Sequence, residues 1–422
     1  MFLDEFGAMG FGSEFRTRFS FLEGNFLILV LSFVIMSFSG PIPGTYSSLY
    51  FQGLGASDFL LGVIGFAGSI ALALVQFSGG YLADKHGRRR LVVALTFGMT
   101  LSYVFFVFAP SWQFIVLGTV LQNFCLLYQP ALMAIMLDSV KPDNRGRSFA
   151  LQTVLTNLVS LPAPIIAGYL VLAFKLDLGM RAAYAITMIT FFAAAMLRTR
   201  LKETLPSESK GGGLRLVTAL KEYPQAVRDG LRVWSRVPRD TFYLIVVVAG
   251  ISSLVAGCNM YFVVYATKIL HVEEFQWALV MAFMSLSVVI PAILAGFRMD
   301  VVGRKHFLIL GLLLYAPAML VFLYADFNML LLAFFLFGLA QVLQGNSYVS
   351  LLGDLTPRDV RGKVVGCGQF FMYVGQALTQ LLAGALYTYV SPQLPFLLLA
   401  VGAVPLAVIA LLRVSDPSAK QV

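Results

Sequence analysis

Apolar residues in this chain do not alternate with polar ones; they run together for twenty residues or more and then stop at short polar interruptions. Runs without interior charge fall near 25–51, 59–83, 91–109, 113–137, 148–174, 182–197, 241–267, 275–297, 306–323, 327–353, 364–389 and 394–412. A helix crosses a hydrocarbon core in about 20 apolar residues. Open strands of this length would leave backbone groups unpaired in lipid, and barrel strands are shorter and alternate. The pattern therefore predicts an all-α polytopic membrane protein of about twelve transmembrane helices. Two prolines and two glycines in Gly40-Pro41-Ile42-Pro43-Gly44 predict a break inside span one.

The most polar stretch, 198–240, contains Gly211-Gly212-Gly213 and splits the spans six and six. The organisation expected is an N-terminal six-helix bundle over 1–197, a linker over 198–240 and a C-terminal six-helix bundle over 241–422. Val227, Leu231 and Trp234 would share one face of an interfacial helix within that linker. The halves repeat. Asp84, Gly87, Arg88, Asp138, Arg145 and Gly146 recur 216 positions later as Asp300, Gly303, Arg304, Asp354, Arg361 and Gly362. Ala167-Gly168 and Ala383-Gly384 keep the same offset. Two pseudo-symmetric bundles follow from that, an arrangement in which a solute site lies between the repeats near the midplane.

Composition agrees, with 59% hydrophobic residues, 12% charged and a mean hydropathy of +0.83. A formal charge of +9 raises the question of nucleic acid, and placement answers it. With both termini cytoplasmic, 27 of the 30 Lys and Arg fall on the cytoplasmic side, leaving Lys175, Arg181 and Lys268 outside. That is the positive-inside bias of a cell-membrane protein, not a DNA-binding surface. Residues 1–24 mix acids and bases ahead of a long apolar run, so no cleavable signal is expected. Cys125, Cys258 and Cys367 lie inside spans without metal-ligand spacing and read as small apolar residues.

Gly80-Tyr81-Leu82-Ala83-Asp84-Lys85-His86-Gly87-Arg88-Arg89-Arg90 lies between spans two and three, and a degenerate copy runs from Gly296 to Lys305. These segments resemble the signature of the major facilitator superfamily, which implies that family's fold. Gly87 suits a tight turn, and Asp84 is an acid at an interface among arginines. The resemblance implies a latch on the cytoplasmic side. Asp84, Arg88 and Asp138 would meet the start of span eleven at Arg361, and Asp300, Gly303, Arg304 and Asp354 would form the matching set at the start of span five at Arg145.

No charged residue falls in the interior of a predicted span, which argues against coupling through a buried carboxylate. Neutral polar residues form stripes instead. Gln369, Tyr373, Gln376 and Gln380 share one face of span eleven, and Thr153, Asn157 and Ser160 occupy the equivalent positions of span five. Span four adds Gln122, Asn123 and Gln129, span seven adds Asn259, Tyr261 and Tyr265, and span ten adds Gln341, Gln344 and Tyr348. Such faces line water or hydrogen-bond another helix. The resemblance implies that spans one, four, seven and ten surround the cavity.

The function expected is secondary active or facilitative transport of small neutral or lipophilic organic solutes by alternating access. Export of drugs or metabolites is one form of it; Leu201-Lys202-Glu203-Thr204-Leu205-Pro206 loosely resembles a segment of the family's drug exporters. A sugar or polyol facilitator and a non-transporting sensor on the same scaffold are the alternatives. An enzyme is not expected, since His86, His271 and His306 lie at helix ends or in loops with no nucleophile partnered. Nor is a cofactor or metal. The expected partners are a small-molecule solute and the lipid bilayer, with no nucleic acid, and the chain is expected to act as a monomer.

Overall fold

The structure is a computed structural model and describes residues 23–76, 87–205, 237–289, 291–292, 298–299, 303–357 and 361–416. Asp84, Asp300 and the expected interfacial helix of the linker lie outside the described residues.

The described residues are nearly all helical, and nine segments are long and apolar enough to cross a membrane. One of them, Pro142–Arg198, makes two passes. Its helix Ala163–Arg198 reverses at Lys175, whose φ is 62°, and a Cβ on Gly179 would lie 2.6 Å from the Leu170 carbonyl oxygen. Glu274–Ser287 and Arg361–Tyr389 complete the set of twelve. Large apolar side chains such as Leu172, Leu382 and Val401 point outward, as expected where lipid is the solvent.

Among the described residues, three spans are interrupted. Span one stops at Ser39, passes through a 3-10 turn at Pro43–Thr45 and resumes as Ser47–Gly53, the break that its prolines predict. Span seven stops at Asn259 and resumes at Phe262, the symmetry-related place, without any proline. Span four, Trp112–Cys125 and Gln129–Asp138, is divided by a 3-10 turn at Leu126–Tyr128 ahead of Pro130.

Each half has its own aromatic core near the end opposite the Arg88 and Arg304 clusters. Phe106 stacks on Tyr184 at 4.8 Å in the first half, while Phe262 touches Phe322, Phe334, Phe337 and Phe396 in the second. Hydroxyls close the helix ends there: Tyr50 donates to the Phe106 carbonyl (2.8 Å) and Tyr265 to that of Leu323 (3.0 Å). These carbonyls have no partner within their own helices, so the tyrosines are caps.

Candidate functional site between the two halves

Spans two and eleven cross where both are glycine. A Cβ on Gly62 would lie 2.5 Å from the Gln380 carbonyl oxygen and 3.0 Å from Gly384 Cα, and one on Gly384 would lie 3.0 Å from the Phe59 carbonyl oxygen. Side-chain bridges join the halves at the same end. Tyr46 donates its hydroxyl to the Glu274 carbonyl, Trp277 Nε1 donates to Thr45 O (3.1 Å), and Tyr261 donates to Asp58 O (3.0 Å). Tyr387 stacks on Tyr261 at 4.5 Å and holds that ring in place. On the far side of the bundle, Gly168 of span five packs on Ala278 and Phe275 of span eight.

The opposite end, which carries Arg88, Arg145, Arg304 and Arg361, is built differently. Arg88 pairs with Asp138 at 2.6 Å and Arg304 pairs with Asp354. Arg145 donates to Leu137 O (3.1 Å), and Arg361 donates to Gly353 O and Thr356 O (3.1 Å). The two sets match at the offset of the repeat, and each pairing just given stays within one half. Gly87 and Gly303 have φ of 92° and 106°, a region open only to glycine, so both turns require that residue. Glu203 accepts from the Arg89 N–H (3.1 Å) and places its charge at the N-terminus of span three. The Asp416 carboxylate stands over Gly303 in the same way.

The expected cavity residues divide into three groups. Gln122 donates to Tyr103 (2.8 Å), Asn123 donates to Thr119 O (2.9 Å), Tyr265 caps span nine, and Gln344 accepts from Tyr315 (3.3 Å), all within single halves. Tyr261 and Gln369 reach across: Gln76 donates to Gln369 at 2.5 Å, and Ser69 to Gln380 at 2.9 Å. Part of the amide stripe of span eleven is thus a polar seam against span two. Gln129, Asn157 and Asn259 are exposed, and Gln341, Tyr373 and Gln376 are half-buried.

One residue overturns a sequence expectation. Arg198, grouped by sequence with the linker's basic residues, extends span six, and its side chain is the largest that is fully buried among the described residues. Its Nε donates to Ser32 Oγ (3.0 Å) and its Nη1 to Thr96 Oγ1 (2.8 Å). The guanidinium also lies over the rings of Phe33 (5.4 Å) and Tyr128 (5.3 Å). The apolar run ends one residue too early for the charge to be read as internal. The missing repeat was the available signal, because the position 216 residues on is Val414.

A family model described as the Major Facilitator Superfamily matches residues 26–297 and 245–422. A multi-drug resistance efflux pump PmrA homolog of Lactococcus lactis is 26% identical over 376 residues, 85% of this chain and 86% of that protein. The multi-drug resistance efflux pump PmrA of Streptococcus pneumoniae is 24% identical over 84% of each chain. Among solved structures, a D-xylose-proton symporter superposes with a TM-score of 0.70 at 17% identity, covering 94% of this chain and 99% of that one. A peptide transporter POT in complex with sulfate gives 0.67 at 17% identity, covering 92% and 93%. At these identities the structural likeness speaks for the fold alone.

Proposed function

We propose, from the premise that the chain belongs to the Major Facilitator Superfamily of transporters, that it moves small lipophilic organic solutes across the cell membrane by alternating access, and that export of drug-like compounds is its task. One observation carries the reading. The Gly62–Gly384 crossing joins the halves at one end, and the described charge pairs at the other end, Arg88–Asp138 and Arg304–Asp354, each lie within one half. Two bundles joined at one end and along the seam of spans two and eleven leave a hollow that opens at the other end.

With the basic end cytoplasmic by the positive-inside bias, this is the inward-facing form. In the opposite form the set around Arg88 and Asp138 meets span eleven at Arg361, and the set around Arg304 and Asp354 meets span five at Arg145. The same charges then serve as the cytoplasmic latch. Gln129, Asn157, Asn259, Gln341, Tyr373 and Gln376 line the hollow, with amides and hydroxyls accessible to solute. The sequence likeness to PmrA efflux pumps favours export over a sugar or polyol facilitator.

Dye efflux from proteoliposomes, with and without an imposed proton gradient, tests this against uptake of labelled sugar. Extrusion of lipophilic dye without sugar flux supports it. Sugar flux alone selects the facilitator, and binding without any flux selects the sensor.

A further inference from the structure

The Arg198 guanidinium is a full positive charge inside the N-terminal bundle with no carboxylate beside it among the described residues. Arginine does not lose its proton in proteins, so the charge persists. Its neighbours soften the charge without cancelling it. Ser32 and Thr96 donate their hydroxyl protons to Leu29 O (2.8 Å) and Val92 O (2.6 Å), which turns their lone pairs toward the arginine. The rings of Phe33 and Tyr128 offer their faces. Nη2 remains buried with no hydrogen-bond partner.

The second half shows that the fold does not need this charge. The positions equivalent to Arg198, Ser32 and Thr96 are Val414, Val248 and Leu312, and all three are buried. An apolar cluster fills the same place between the same helices, and apolar groups are in general at least as stabilising as buried charge. The arginine is therefore held for its field.

That field reaches the space between the bundles. Gln129 follows Tyr128 directly and is exposed nine residues inside the Asp138 end of its helix, about 13 Å deep. An amide exposed at that depth faces water, because lipid would leave it unsatisfied. The wall of the solvated hollow is thus one residue from the ring that covers the guanidinium.

The geometry points to an anion-selective transporter: Arg198 makes the hollow favour organic solutes bearing a carboxylate, sulfonate or phosphate group and disfavour organic cations. This rests on the transport reading above and narrows its solute class. At an effective dielectric of about 20 and a separation of about 10 Å, one unit charge changes the partition of a monovalent ion by roughly tenfold in either direction. Anion and cation then differ by about a hundredfold.

The test uses fluorescein and rhodamine 123, an anion and a cation on one xanthene skeleton, with the full-length protein in phosphatidylcholine nanodiscs for binding and in proteoliposomes for flux. The expected result is a preference for fluorescein in the wild type, reduced by about tenfold or more in Arg198→Met and retained in Arg198→Lys. Thr96→Asp places a carboxylate against the guanidinium and should abolish the preference with the arginine still present. It therefore serves if Arg198→Met does not fold. A purely structural clamp would move stability in these variants and leave the dye ratio unchanged. Equal or better handling of rhodamine 123 by the wild type overturns the proposal, as does a ratio that survives both Arg198→Met and Thr96→Asp. Selective binding of fluorescein with no flux of either dye upholds the charge assignment and overturns the transport reading. Flux of both dyes without preference does the reverse.

Discussion

Replacing Gly62 by alanine perturbs one conformation of the transport cycle and spares the other. The new methyl would sit 2.5 Å from the Gln380 carbonyl oxygen and 3.0 Å from Gly384 Cα, both backbone atoms of span eleven. Neither can turn aside as a side chain would, so the spans must separate by about 1 Å. Overpacking of this kind costs about 1–3 kcal/mol. The cost falls only on the form in which this end is closed, so the equilibrium should move toward its opening by roughly 5–150-fold. Gly65→Ala is the internal control. Its methyl would meet the Gln380 side chain at 2.9 Å, a flexible amide able to give way, and a shift below about 1 kcal/mol is expected there. Ser48, buried beside Met260 of the other half, reports the opening as a cysteine labelled by a membrane-impermeant maleimide. The three native cysteines are buried and are first replaced. Labelling should accelerate in Gly62→Ala and in Gly384→Ala. The double variant should fall short of the sum, because both methyls fill one gap. An unchanged labelling rate in a folded Gly62→Ala protein would refute the view that this crossing is the closed gate.

Three further outcomes are expected. Gly87→Ala and Gly303→Ala force an L residue into φ of 92° and 106°, and each should lower stability by about 1–3 kcal/mol in thermal unfolding. Glu203→Ala removes the acceptor of the Arg89 N–H and the negative charge at the start of span three, a loss of about 0.5–2 kcal/mol by the same assay. Tyr261→Phe keeps the ring stacked on Tyr387 but deletes the bond to Asp58 O. It should increase labelling at position 48 by about fivefold, as befits a bond worth about 1 kcal/mol.

The twelve spans were legible because lipid permits so few backbone solutions that hydropathy alone nearly determines them. The break in span one could be read from Pro41 and Pro43, whereas its counterpart at Asn259–Tyr261 carries no residue that forbids a helix. Packing around Tyr261, not local chemistry, sets it. The amide stripe of span eleven was visible as a stripe, but a polar face at period 3.6 looks the same whether it meets water or another helix. Gln369 and Gln380 meet Gln76 and Ser69, and only the crossing of spans two and eleven decides that. Tyr265 was a cavity candidate by residue type and is a helix cap by geometry, for a phenol serves either purpose with the same hydroxyl.

What the repeat preserves and what it abandons divides along a physical line. Gly87 and Gly303, Arg88–Asp138 and Arg304–Asp354, Gly168 and Gly384 are kept in both halves. Turns, charge pairs and close crossings do matching work in the two halves, since repeats related by an axis along the membrane normal take equal parts in each access state. A solute has no twofold axis, and the residues that recognise it have no reason to obey one. Tyr128 faces Gln344 across the offset, and Arg198 faces Val414. The departure at Arg198 is the one that adds a charge beside the proposed hollow. It singles out the environment of span four and Arg198 over the symmetric amides of spans five and eleven.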